Sequence, residues 1–262
     1  MDKPALLLEV QAYVLEQTML NKLKITAGIL LICNLGACAP VPTTAEVESA
    51  GIQALHAQLP AAIASLEKWA NAGNIVAQRE LGLAYAIKPE QQALALHWLE
   101  QAASNQGGDA EAQFQLAEAY YKGRLGLTKD EQRAWKLYEA AANHQYGKAS
   151  FMLARMAKYG QGTQQDLAAS VKWLTKASEQ GNAQAMFLLS NAYAAGEGIK
   201  QDQAMARKWL EESAELEYPV AIQALAMELE SGSKHVEKDP LKARHLIKEA
   251  SDERLMRWNR YQ

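Results

Sequence analysis

The sequence predicts an all-α protein, an α-solenoid in which antiparallel helix pairs stack one on the next. Three observations carry that expectation. An alanine followed four residues later by a leucine recurs as Ala77 and Leu81, Ala112 and Leu116, Ala149 and Leu153, Ala185 and Leu189, and Ala221 and Leu225, so the leucines fall 35, 37, 36 and 36 residues apart. Between them a small residue precedes a large apolar one by three, as Ala95 and Trp98, Ala134 and Leu137, Ser170 and Trp173, Ala206 and Trp209, and Ala243 and Leu246. Glycine-bearing segments separate the two signatures: GRLGLTKD from Gly123, GQGTQQD from Gly160, GEGIKQD from Gly196 and GSKHVEKD from Gly232. Spacings of three and four place each pair on one helix face. A fixed period of this length marks units that bury their faces only by stacking.

Composition agrees. Of 262 residues 49% are hydrophobic, yet phenylalanine occurs three times and alanine supplies much of the apolar content, which suits close helix contacts over a bulky core. Lysine and arginine number 27 against 30 acidic residues, a net charge of -3, with no basic block to track a phosphate backbone, so nucleic acid is not an expected partner. Cys33 and Cys38 are the only cysteines. The chain beyond them therefore has no disulfide framework, thiolate metal cluster or thiol redox chemistry.

Residues 1–18 carry Asp2, Glu9 and Glu16, unlike a basic leader, and read as an upstream extension; translation is expected to begin at Met19. From there, residues 19–37 have the layout of a secretory signal peptide: Lys22 and Lys24, an apolar run from Ile25 of about a dozen residues, then small residues. That run is shorter than the roughly 20 residues of a membrane-spanning helix. Leu35, Gly36, Ala37 and Cys38 resemble the lipobox of bacterial lipoproteins, in which the cysteine is acylated and becomes the first mature residue. The resemblance makes Cys38 the lipidation site and the membrane a partner through it. Ile32, bulky and β-branched, rules out Cys33 by the same criterion. In enteric-type envelopes a residue other than aspartate after the cysteine, here Ala39, implies the outer membrane, facing the periplasm. Residues 38–50, with Pro40, Pro42, Thr43 and Thr44, read as a tether, and residues 51–74 as a degenerate leading helix pair.

Residues 75–250 hold five repeat units. In four of them glycine ends the first helix in a left-handed cap. Asp130, Asp166, Asp202 and Asp239 then stand where N-caps of the second belong, with Pro240 at a favoured first helical position. The first unit departs most, since AIKPEQQ replaces the glycine loop and requires a tighter turn. This pattern resembles the Sel-one-like repeat (SLR), a relative of the tetratricopeptide repeat, most closely at residues 147–182 and 183–218. Residues 251–262, SDERLMRWNRYQ, break the pattern and read as a C-terminal capping helix.

No enzyme is expected. The chain lacks G-x-S-x-G, H-E-x-x-H and P-loop motifs, and no cofactor is implied. His56, His97, His144, His235 and His245 lie far apart without ligand spacing, so no metal site is expected. Gly160-x-Gly162 and Gly196-x-Gly198 follow helices and recur with the repeat, whereas phosphate cradles follow strands. Glu111, Glu118 and Glu131 could pair for acid-base work, but charged residues on repeat helices usually face solvent.

One constellation stands out. Phe114, Phe151 and Phe187 each lie two residues before a signature leucine, with Glu118, Arg155 and Asn191 one turn further on and Tyr121 and Tyr159 extending the face. If the helices pair as in tetratricopeptide repeats, these residues line a concave groove for a protein or peptide partner. The alternative is that the aromatics wedge between repeats, which the family pattern favours. The expected function is a membrane-anchored periplasmic scaffold for protein-protein interaction in envelope or secretion-complex assembly. The resemblance also allows a binder or weak hydrolase of cell-wall, β-lactam-like ligands, or a secreted effector that engages host proteins.

Overall fold

The computed structural model describes residues 41–104, 107–232 and 238–248. The chain divides into a leading unit of residues 1–43 and a helical unit from Thr44 onward; the expected signal peptide, both cysteines and the expected capping segment 251–262 lie outside the described residues. In the helical unit α1 (Thr44–His56) and α2 (Pro60–Asn71) form the leading pair. The repeats follow as α3 (Ile75–Ala86) with α4 (Gln92–Ser104), α5 (Ala110–Lys122) with α6 (Glu131–Asn143), α7 (Gly147–Tyr159) with α8 (Leu167–Glu179), and α9 (Ala183–Ala195) with α10 (Gln203–Glu215). The fifth pairs α11 (Pro219–Ser231) with helical residues 240–248. No strand occurs among the described residues.

Each helix packs on its neighbours in sequence, within a pair and from the second helix of one pair to the first of the next, while α1 and α2 both pack on α3. The signature residues make these contacts. Ala77, Ala112, Ala149, Ala185 and Ala221 are wholly buried, as are Leu81, Leu153 and Leu189. A larger residue at an alanine position would force the pair apart, which is why the apolar content is alanine.

The loops follow the sequence reading closely. Asp130, Asp166, Asp202 and Asp239 accept hydrogen bonds from Arg133 N, Ala169 N, Met205 N and Lys242 N at 2.9 to 3.0 Å. Gly123, Gly160 and Gly196 close their helices in left-handed backbone. Gly232 departs, with φ 73° and ψ 158°, outside the left-handed helical region. The first unit turns tightly through a 3-10 helix, Pro89–Gln91.

The tether expected over residues 38–50 is corrected at its second half. Residues from Thr44 are helical, and Val47, Ala50, Gly51 and Ala54 bury one face of α1. Their spacing of i, i+3, i+4 and i+7 is that of an amphipathic helix, so the leading pair starts at Thr44.

Candidate partner-binding face

The three phenylalanines occupy one register position, and the structure shows what that position touches. The ring of Phe114 packs on Tyr138 and on Tyr146, with centroids 5.6 and 5.2 Å apart. Tyr146 is the N-cap residue of α7, in the next repeat. Phe187 meets Tyr218, the N-cap residue of α11, at 5.7 Å. Between these two repeats the N-cap is Asn182, whose side chain caps α9 instead, and Phe151 is buried in the apolar cluster with Leu174, Leu189 and Trp209. In the first repeat the same position holds Arg79, which donates to the N-cap Asp109 at 3.0 Å. In the first, second and fourth repeats the residue two before the signature leucine thus contacts the N-cap residue of the next.

This overturns the reading of the phenylalanines as an open aromatic ladder. Phe151 is only 8% exposed, and Phe114 and Phe187 are half-buried wedges. Tyr121 also belongs to the packing, edge-on to Tyr138 at 6.5 Å and donating to Gln161 Oε1 at 2.9 Å. Tyr159 alone of the proposed aromatics stands exposed.

The three polar residues divide in the same way. The Glu118 carboxylate accepts a 2.5 Å hydrogen bond from the hydroxyl of wholly buried Tyr138 and pairs with Lys122. Burial first, and then this carboxylate, hold the Tyr138 phenol far above its ordinary value. Tyr146 is pushed up to about 12 by burial and by Glu111. Arg155 and Asn191, one and two repeats after Glu118, remain exposed and share a cleft of about 130 Å3 bounded by α7, α8 and α9. Sequence reasoning placed them at equivalent positions, and the structure brings them to one recess.

A second polar cluster was not anticipated, because charges on these helices were expected to face solvent. The Arg79 side chain, 12% exposed, contacts Glu80 at 2.6 Å, Asp109 at 3.0 Å, Glu111 at 3.6 Å and Glu48 at 3.7 Å. Burial opposes the Arg79 charge, but the carboxylates outweigh it and raise its pKa. Burial also raises the Glu80 carboxyl against the opposing pull of Arg79. The signal was available: Arg79 lies two residues before Leu81, as the phenylalanines lie before theirs. No group of three or more histidine, cysteine, aspartate or glutamate side chains among the described residues is arranged to hold a metal ion.

Stacked helix pairs of fixed period, with inter-repeat contacts at one register, define a repeat scaffold. The Sel1 repeat model matches residues 75–106, 110–146, 147–182, 183–218 and 219–254, so the chain belongs to the Sel1 repeat family, whose members bind protein partners. A solved Sel1 repeat protein from Oxalobacter formigenes is 24% identical with a TM-score of 0.67, the match covering 89% of this chain and 95% of that one. A protective antigen of uropathogenic Escherichia coli with an SLR fold is 25% identical with a TM-score of 0.66, over 80% of this chain. This chain spans 46% of the length of that antigen. No curated protein matches closely enough to count as a relative.

Proposed function

We propose that the chain is a lipid-anchored envelope protein whose repeats hold a protein partner for assembly of an envelope or secretion complex. The observation that supports binding most directly is the cleft of about 130 Å3 at the register of Arg155 and Asn191, bounded by α7, α8 and α9. The resemblance of Leu35 to Cys38 to a lipobox supports the anchor. Acyl chains contribute about 0.8 kcal/mol per buried methylene, so more than one chain gives a stable attachment. Fixing the scaffold to one membrane raises the effective concentration of whatever it holds. Wild type and Cys38→Ala, labelled with radioactive palmitate and fractionated, test the anchor. The account expects label and membrane retention in wild type only, and a labelled Cys38→Ala chain contradicts it.

A second reading takes its support from the solved antigen. A protective antigen is reached by antibody, and a surface-exposed or secreted chain that engages host proteins fits such accessibility. Protease treatment of intact cells separates the two, since a periplasm-facing chain survives and an outward-facing one is cut.

A further inference from the structure

Tyr138 and Leu174 stand at the same place in successive second helices and do different things there. Tyr138 is wholly buried and its hydroxyl reaches Glu118 on the first helix of its own repeat. Leu174 lacks that reach, and above it lies the cleft of about 130 Å3, walled by Val171, Leu174 and Leu188. Lys158 and Glu197, paired at 2.8 Å, also line it. Arg155, which replaces Glu118 one repeat on, makes no ion pair among the described residues; its guanidinium bonds only to the sulfur of Met152 at 3.8 Å. The recess therefore combines an apolar floor with a guanidinium at its rim that makes no ion pair among the described residues.

We infer that this cleft receives one aliphatic side chain of an extended peptide, with an acidic residue of the same peptide paired to Arg155. The inference rests on the scaffold reading above and names the chemistry of its partner. A helix with its side chains is about 10 Å or more across, too wide for this volume, whereas a single side chain fits. The second repeat provides the internal template, since Tyr138 fills the equivalent space with an apolar body and presents a donor to the Glu118 acceptor. Exchange of Glu118 for Arg155 inverts the demand: the incoming tip must be an acceptor, and guanidinium binds carboxylate through charge-assisted, often bidentate, hydrogen bonds. In an extended peptide alternate residues share a face about 6.6 Å apart. The expected motif is thus an aliphatic residue and an acid separated by one position.

A displayed library of short random peptides, selected on the full chain, tests this. Selection is expected to enrich the aliphatic and acidic pair, and an enriched peptide is then synthesised, labelled and measured by fluorescence anisotropy. Leu174→Tyr, which fills the cleft as Tyr138 does, and Arg155→Glu are each expected to weaken that peptide by about tenfold or more. Arg155→Glu should also regain binding when the peptide acid is changed to lysine. Asn191→Trp, which obstructs the exposed mouth, serves should Leu174→Tyr fail to fold. Lack of the motif in the enriched set, or affinity unmoved by filling or obstructing the cleft, overturns the inference. Peptides that bind the chain while ignoring every substitution sink the cleft and leave the scaffold reading intact. Cells in which no envelope protein crosslinks to the chain sink the scaffold reading, whatever the peptides do.

Discussion

The ring of Phe114 rests on the ring of Tyr146 across a repeat boundary, centroids 5.2 Å apart and planes tilted by 51°. Phe187 and Tyr218 repeat the contact at 5.7 Å and 50° two repeats later. Aromatic pairs of this geometry contribute about 0.5–1.5 kcal/mol beyond their buried area. A double-mutant cycle of Phe114→Ala and Tyr146→Ala, followed by urea denaturation, should show a coupling energy in that range. Additive effects would mean that the rings touch without stabilising the boundary. Phe151→Ala should cost about 3–5 kcal/mol, because that ring is core.

Gly198 lies so close to the start of α8 that an added Cβ would sit 2.4 Å from the Leu167 carbonyl oxygen, at a φ of 73°. Gly126 shares the positive φ, at 74°, with open space around it. Gly126→Ala should therefore lose only the backbone preference, about 1–2 kcal/mol. Gly198→Ala should lose more, with faster amide exchange in α8 and α9. Equal losses at the two sites would show that the close approach carries no energy.

Gln145 holds a left-handed backbone with φ 61°, at the turn where the following repeat has Gly181 with φ 80°. Relief of that strain exceeds the extra chain entropy that glycine loses on folding. Gln145→Gly is expected to stabilise by about 0.5–1 kcal/mol, read as a raised melting temperature.

Glu80 titrates upward because burial, with the nearby carboxylates of Glu111 and Glu48, outweighs the opposing pull of Arg79. The folded state therefore holds this proton more tightly than the unfolded chain. Its contribution to stability is full below the unfolded carboxyl pKa and is lost as pH rises through the raised folded value. Glu80→Gln removes that loss. Denaturation midpoints of the variant should gain on wild type as pH climbs from about 4 to about 7, and a constant difference across that window would contradict the assignment. Arg79→Ala should destabilise at every pH in the window, since it leaves Glu80 and Asp109 half-buried without their cation.

How much of this could be read beforehand depends on how far apart the interacting residues lie. The period, the glycine helix ends and the aspartate caps were legible because each is a local rule acting within about four residues. Asp166 caps α8 through Ala169, three positions away. The contact of Phe114 with Tyr146 joins residues in different repeats, and nothing in the spacing of the phenylalanines distinguishes a wedge from a groove. Comparison down one register was the missing step: Arg79, Phe114 and Phe187 share a place, and their partners Asp109, Tyr146 and Tyr218 share another. Likewise Tyr138 against Leu174 marks where a recess closes or stays open. The start of α1 was hidden for another reason. Pro42, Thr43 and Thr44 have the composition of a linker, while Val47, Ala50 and Ala54 carry a helical face in a stretch with few large apolar residues.

The central claim is that a protein is held on the face presented by Arg155 and Asn191. Site-specific photo-crosslinking in living cells tests it most directly, with the photoreactive residue at Asn191 on α9 or at Lys172, exposed on α8. The account predicts a discrete adduct from Asn191, weakened by Cys38→Ala, and none from Lys172. Absence of an adduct at Asn191, or the same adducts from both positions, would contradict it.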